Sequence, residues 1–223
     1  MGFSWNEVGT ENSTEKKEVN YLRFAEGSTI IRVLDEAPYS RWQHWLPAPA
    51  NGGKGVGVDC IGENCPVCAK IKLEKAKGTP KENIKFTTKK VHSINVLVRK
   101  DGKNEVYVLE QGNGLFGNLK DVMVMMGSAG MTPDLRNMDI MVNRTGTGFS
   151  NTKYSVMPLM NKVSPLTDEE KALEKYDLLN LKPKFTPEQL NKIIEGETLD
   201  NIVKEAEGEA TEEEIKVDFT QQV

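Results

Sequence analysis

Apolar positions along this chain alternate with polar ones in short bursts, the period of a half-buried β-strand. The bursts fall at Tyr21–Phe24, at Ser28–Glu36 after a Glu-Gly step, and at Val91–Lys100 and Asn104–Gln111, which flank Asp101-Gly102-Lys103. The last of these junctions has the turn chemistry of a hairpin. Met138–Gly146 and Thr152–Leu159 form a further pair around a glycine-rich loop. One segment has the helical period instead: Phe116, Leu119, Val122, Met123 and Met126 recur three and four apart, and Gly127 ends the run. The methionine-rich stripe of this helix is read as core. The pattern predicts a mainly β protein with minor α: a small closed barrel with one interposed helix, or a sandwich.

After Pro165 the texture changes. Thr167 to Glu170 and Thr186 to Gln189 both have capping-box spacing, and Pro187 occupies a first-turn position that tolerates proline. Short helical patterns follow, Leu190/Ile193/Ile194 and Leu199/Ile202/Val203, each too short to stand alone and expected to dock weakly on the body or a partner. Residues 205–223 are acidic, poor in apolar side chains apart from a Val217/Phe219 hook, and expected to be disordered. Residues 1–18 are polar and aperiodic, and are read as a mobile arm.

Charge sharpens this division. The chain of 223 residues carries −4 overall. Residues 166–223 hold 16 acidic side chains against 7 lysines, so the preceding body is net basic. A basic body suggests a polyanionic partner, and an acidic tail suggests a different one. No apolar run approaches the roughly 20 residues of a membrane span. The start of the chain lacks the apolar stretch of a secretory signal, so a cytoplasmic setting is expected.

The candidate chemistry lies in VDCIGENCPVCAKI. It contains all three cysteines, Cys60, Cys65 and Cys68. Clustered thiols in odd number suit metal ligation better than disulfides. Tetrahedral zinc needs a fourth ligand, and an imidazole completing Cys3His supplies it. His44 and His92 are the two candidates. His44 is preferred, because finger-like sites close compact loops with ligands from both arms. Four protein ligands leave no open position for catalysis, and no phosphate-cradling motif or nucleophile–base pair can be read. A structural zinc in a protein that is not an enzyme is the expectation. Arg41, Trp42 and Trp45 beside His44 combine guanidinium and aromatic faces, which suits unpaired bases.

These features resemble the zinc-containing single-stranded DNA-binding proteins of tailed bacteriophages. The resemblance runs from about Asn20 to Leu159. It rests on YLRF, a lone histidine ahead of the cysteines, CPVC with a third cysteine upstream, a basic stretch, the strand containing Asn95-Val96-Leu97-Val98, and GFSN. It implies an OB-fold-like closed barrel over residues 19–165 with an inserted zinc-knuckle subdomain at about 40–75. A partly helical segment, 166–204, and the acidic tail, 205–223, would follow. It implies His44 as the ligand, sequence-independent binding of single-stranded DNA in phage replication, recombination and repair, and recruitment of replication or recombination proteins by the tail. The cysteine spacing is tighter than in familiar members, which implies a smaller zinc lobe. The arm carries only Lys16 and Lys17 beside Glu15 and Glu18, so a monomer or weak self-association on DNA is expected.

Candidate phosphate contacts are Arg23, Arg32, Arg41, Lys89, Lys90, Arg99, Arg144 and Lys153. Candidate stacking residues are Trp42, Trp45, Tyr107, Phe149 and Tyr154, with His92 on the DNA face if it is not a ligand. The rival reading is a zinc-stabilised adaptor that acts through its acidic tail.

Overall fold

The computed structural model describes residues 18–47, 55–100, 102–148, 151–160 and 163–204. Residues 1–17 of the N-terminal arm, the acidic tail, Asp101 and Phe149 lie outside the described residues.

The strands form one antiparallel sheet: β1 (Gly27–Val33), β2 (Tyr39–Leu46), β3 (Val56–Asp59), β4 (Thr87–Lys100), β5 (Lys103–Gly112), β6 (Asp139–Thr145) and β7 (Lys153–Pro158). The order is β3-β2-β4-β1-β6-β7, with β5 also paired to β4. The sheet is open: among the described residues no ladder closes it into a barrel. Tyr21–Phe24, expected as a strand, makes only an isolated parallel bridge from Tyr21 to Val108. Its Phe24 side chain turns into the core instead.

β4 organises the sheet. It spans 14 residues and pairs with β5 along one edge, from Val91↔Gly112 to Lys100↔Lys103. Its other edge pairs first with β2 (Trp45↔Thr87 to Tyr39↔Ser93) and then with β1 (Val33↔Val96, Arg32↔Leu97). Alternate side chains point to opposite faces, so Thr88, Lys90, His92, Ile94 and Val96 share one face, and Ser93, Asn95 and Arg99 share the other.

Each end of the first face is covered by its own core. The larger core packs α2 (Asn113–Ser128) on the sheet, with Leu115, Leu119, Val122 and Met126 meeting Ile31, Val96, Leu109 and Ile140. This helix uses the stripe that its periodicity announces. The smaller core surrounds the cysteines. Leu46, Val58 and Val67 meet Phe185, Leu190, Ile193 and Ile202, which arrive from the far end of the chain. Leu46 and Val58 come from β2 and β3, Val67 from α1 (Pro66–Ala76), Leu190 and Ile193 from α4 (Pro187–Glu195) and Ile202 from a helical turn at 199–204, with Phe185 just ahead of α4. Leu190 and Ile202 are fully buried, so these C-terminal helices are part of the smaller lobe.

Between the two, residues 163–185 run along the opposite face as a strap. α3 (Asp168–Lys171) presents Glu170 to Arg99, and Lys175 reaches Asp35 at 3.1 Å. The Asn95 side chain pairs with the Tyr176 backbone, donating to its carbonyl at 3.1 Å and accepting from its amide at 3.0 Å. Lys182 reaches Glu110 at 2.8 Å, and Phe185 enters the smaller core three residues later.

Candidate metal centre and the cleft beside it

β2 and β3 bring the first two ligands together. His44 pairs with Val58 across this ladder, and the Cys60 amide donates to the Trp42 carbonyl at 2.8 Å, so Cys60 leaves β3 beside His44. Gly62 then turns the chain with φ of 89°, and the Cys65 amide closes the knuckle on the Gly62 carbonyl at 3.2 Å. Cys65 is the N-cap of α1, with Pro66 at the first helical position, and Cys68 follows within the first turn. Both sulfurs therefore stand at the positive end of the helix dipole, which favours thiolates.

The four ligand atoms lie within 4.8 Å of one another. His44 Nε2 is 3.3 Å from Cys65 Sγ and 3.5 Å from Cys68 Sγ, and Cys60 Sγ is 3.6 Å from Cys68 Sγ. Tetrahedral zinc with ordinary bond lengths would set these separations at about 3.6 Å for N to S and about 3.8 Å for S to S. The cluster is close enough to hold one such ion after small adjustments of the ligand atoms. His44 Nδ1 meets Thr88 Oγ1 at 2.9 Å, a contact that orients the ring and leaves Nε2 free to ligate. Burial lowers the His44 pKa, which keeps the imidazole neutral as ligation requires. Burial, with the adjoining Cys60 and Cys65 thiols, pushes Cys68 up to about 12. Such crowded thiols resist ionisation together unless a cation stands among them.

The first face of β4 continues from this centre into a cleft. Register pairs His44 with Thr88, Trp42 with Lys90 and Ser40 with His92, so the three pairs follow one another on that face. Beyond them Ile94 disappears under α2. Trp42 is 55% exposed. His92 lies against Phe116 with ring centroids 5.0 Å apart, and its two nitrogens meet Ser40 Oγ at 2.7 Å and Asn113 Oδ1 at 2.8 Å. Lys90, His92, Phe116 and Lys120 line a cleft of about 500 Å³. His92 therefore stands in this cleft, away from the four-atom cluster.

The other candidate contacts are scattered. Trp45 is exposed on the opposite face, with Lys89 Nζ 5.9 Å from its ring centroid. It lies so close over Gly55 that a Cβ there would sit 2.3 Å from its Nε1, which explains the glycine. Arg32 is 3% exposed and donates to Asp139 at 2.7 Å. Arg41 is buried between Asp59, at 2.9 Å, and Glu110. Arg99 is partly exposed but held by Asp139 and Glu170. Arg144 donates to the Phe24 carbonyl at 2.6 Å. Tyr107 packs on the larger core and donates to Glu105 at 2.5 Å, and Tyr154 meets Phe24 edge-on at 5.7 Å. Arg23, stacked 5.7 Å from the Tyr21 ring, and Lys153 are exposed.

Sequence reasoning missed Thr88, Ser40, Asn113 and Phe116 as members of the site. Nothing in their spacing marks them, because cross-strand register brings Thr88 to His44 and Ser40 to His92, and the packing of α2 on the sheet brings Asn113 and Phe116 to His92.

Comparison with protein-family models, with curated proteins and with solved structures finds no match. The chemistry of the site stands on its own geometry. Among the described residues, no helix is long and apolar enough to cross a membrane.

Proposed function

We propose that this protein binds single-stranded DNA without sequence preference, and that a structural zinc ion in the His44/Cys60/Cys65/Cys68 cluster holds one wall of the binding cleft. The observation that carries this reading is the row on one sheet face between the two lobes. It places an exposed tryptophan, a lysine and a histidine stacked on phenylalanine in succession. Aromatic faces accept any base, and lysines follow the phosphates. The net-basic body supports the same partner. Lys90 and Lys120 are exposed cations lining the cleft at this row, whereas Arg32 and Arg41 serve internal ion pairs.

We also propose that the sheet approximates the partly open barrel of an OB-fold. Support comes from the Tyr21–Val108 bridge, which carries the segment ahead of β1 back to β5 so that β1, β4 and β5 surround one core.

The test is a fluorescence titration with an unstructured single-stranded oligonucleotide and with duplex of equal length, at several salt concentrations. Quenching by the single strand, a weaker response to duplex and a logarithmic salt slope of about −0.7 per phosphate neutralised are expected. Trp42→Ala should weaken binding by the ~1–3 kcal/mol of one stacked base. Absence of any response at low salt, with metal confirmed present, overturns the reading.

A further inference from the structure

β7 ends the sheet, and among the described residues its outer edge pairs with no strand. The Leu159 amide donates to the Asp139 carbonyl at 2.9 Å, in register with the β6–β7 ladder. Odd-numbered residues of β7 therefore turn their backbone groups to β6, and Tyr154, Val156 and Pro158 turn theirs outward. One outward group is already engaged: the Tyr154 carbonyl accepts from the Asn118 side chain of α2 at 2.8 Å. Apolar side chains flank this edge on both faces. On the core face Val122 and Met125 of α2, with Val156 and Pro158, line a groove of about 440 Å³. On the opposite face Ile30, Met141 and Met157 stand side by side across β1, β6 and β7, and Ile30 and Met157 are half exposed. Ten large apolar side chains are exposed among the described residues. Six of them (Ile30, Val124, Met125, Met157, Met160 and Val163) belong to β1, β7, the second half of α2 or the residues just after β7. Such a concentration around an open strand edge marks an interaction surface.

We propose that β7 pairs with β7 of a second copy of this chain, antiparallel about a two-fold axis at Val156, so that one sheet runs through a symmetric dimer. The hydrogen bonds select this occupant. With Val156 opposite the partner's Val156, the two residues exchange both of their backbone bonds. Tyr154 then stands opposite the partner's Pro158, whose carbonyl accepts from the Tyr154 amide. Proline has no N–H to return. The Tyr154 carbonyl is the one group this leaves without a donor, and it is the group that Asn118 serves. The edge therefore fits a strand that carries proline opposite Tyr154, and β7 is itself such a strand. Shifting the pairing by two residues fails in either direction. One shift sets the Val156 carbonyl against the partner's Pro158. The other sets the Pro158 carbonyl against the partner's Thr152, whose amide is already bonded to the Gly148 carbonyl at 3.1 Å.

The side chains agree with this register. Met157 falls opposite the partner's Ser155, which carries the row from Ile30 through Met141 across the axis, and the two Val156 side chains meet beside the groove that Met125 lines. The groove and the DNA cleft lie on opposite flanks of α2 and share no lining residue, so pairing at β7 leaves the cleft open.

The experiment is sedimentation equilibrium of the full-length, metal-loaded chain without DNA, paired with amide hydrogen exchange at the same concentrations. The molar mass should rise from one chain toward two as concentration climbs through ~10–100 µM. The Tyr154 and Val156 amides should gain protection in step with the dimer. Met157 is exposed, so Met157→Glu leaves both cores intact while it sets like charges near one another across the axis, and it should weaken association ~10-fold or more. Val156→Pro removes the central donor and keeps the bonds to β6, which come from Ser155 and Met157, and it should weaken association at least as much. A single chain at every concentration, with fast exchange at both amides, overturns the proposal and leaves the edge to a strand of another protein. Protection of both amides in a chain that sediments as a monomer assigns the edge to a segment of the same chain, and overturns it too. So does a dimer that survives both substitutions, whose interface lies elsewhere.

Discussion

The two lobes share one sheet but are stabilised by different means. In the larger lobe, β4, β5, α2 and β6 follow one another in periodic sequence and are joined by residues 22–33, and the buried cluster they form is hydrophobic. In the smaller lobe five short elements from three distant parts of the chain meet around three cysteines and a histidine. A unit this small buries too little apolar surface to hold itself, and a metal ion or an outside element normally makes up the difference. Here both are available, the four-atom cluster and the returning C-terminal helices. The lesson is that local periodicity specifies one lobe, and ligation with long-range return specifies the other.

Metal removal is the largest way to break the comparison. Structural zinc contributes ~10–16 kcal/mol in small fingers. Chelation, or Cys65→Ser, should therefore unfold the smaller lobe and leave the larger one standing. Hydrogen exchange would check it: amides of β3, α1 and α4 should lose protection, while β5, β6 and α2 keep theirs. Uniform loss of protection would show that the lobes are one cooperative unit.

The strap joining the lobes comes next. Glu110 accepts from Arg41 and from Lys182, with side chains 17%, 7% and 24% exposed respectively. Burial raises its pKa, but the Lys182 hydrogen bond and the charges of Lys182 and Arg41 outweigh this and hold it below the usual carboxylate range. A pKa depressed by folding contributes stability in full above the unfolded value, and that stability is lost as pH falls through the folded value. Asp139 and Glu170, which hold Arg99, are lowered in the same direction, again against burial. Stability should therefore fall on acidification below about pH 4. Glu110→Gln should cost ~3–5 kcal/mol at neutral pH, because Arg41 loses a buried partner, and should flatten that acid limb. Urea melts between pH 3 and 7 would show both effects.

Much of the larger lobe was legible in the sequence, and the reasons are specific. Val91–Lys100 and Asn104–Gln111 alternate cleanly, and their strands extend the predicted spans by only a few residues. β2 was not legible. In YSRWQHWL the buried positions include Arg41, Gln43 and His44, while Trp42 and Trp45 are exposed, so its polarity runs opposite to the usual strand rule. It was read as part of the metal loop for that reason. The cysteines and His44 announced the metal cluster through residue type and spacing, which survive in one dimension. The cleft was legible only in part. Arg32, Arg41 and Arg99, read as phosphate contacts, have carboxylate partners from distant elements, and linear sequence carries no trace of such pairing. Both capping boxes, in contrast, are local, and both are formed.

Equal truncations in the two cores sharpen the contrast further. Ile140→Ala and Leu190→Ala each remove a fully buried aliphatic side chain, and each should cost ~2–5 kcal/mol. The readouts should differ. Ile140→Ala should lower the global unfolding midpoint, whereas Leu190→Ala should accelerate exchange in α1 and α4 and weaken metal retention while β5 and β6 stay protected. An equal global shift from both would erase the distinction between the lobes.

The smallest effect uses the two capping boxes as matched probes. Thr186 accepts from the Gln189 amide at 3.2 Å, and Gln189 accepts from the Thr186 amide at 2.9 Å. Thr167 and Glu170 repeat the arrangement at 3.2 and 3.0 Å. Replacing an N-cap threonine by alanine costs about 1 kcal/mol. Thr186→Ala acts on α4, which packs against α1, so its cost should appear as faster metal loss and faster exchange in the smaller lobe. Thr167→Ala also loosens Glu170, which fastens the strap to Arg99, so its cost should appear at the Tyr176 amide instead. Two substitutions of the same chemistry and size would then separate by location alone. Coincident effects in the smaller lobe and at the Tyr176 amide would mean that strap and lobe open together, and that the strap belongs to the smaller lobe.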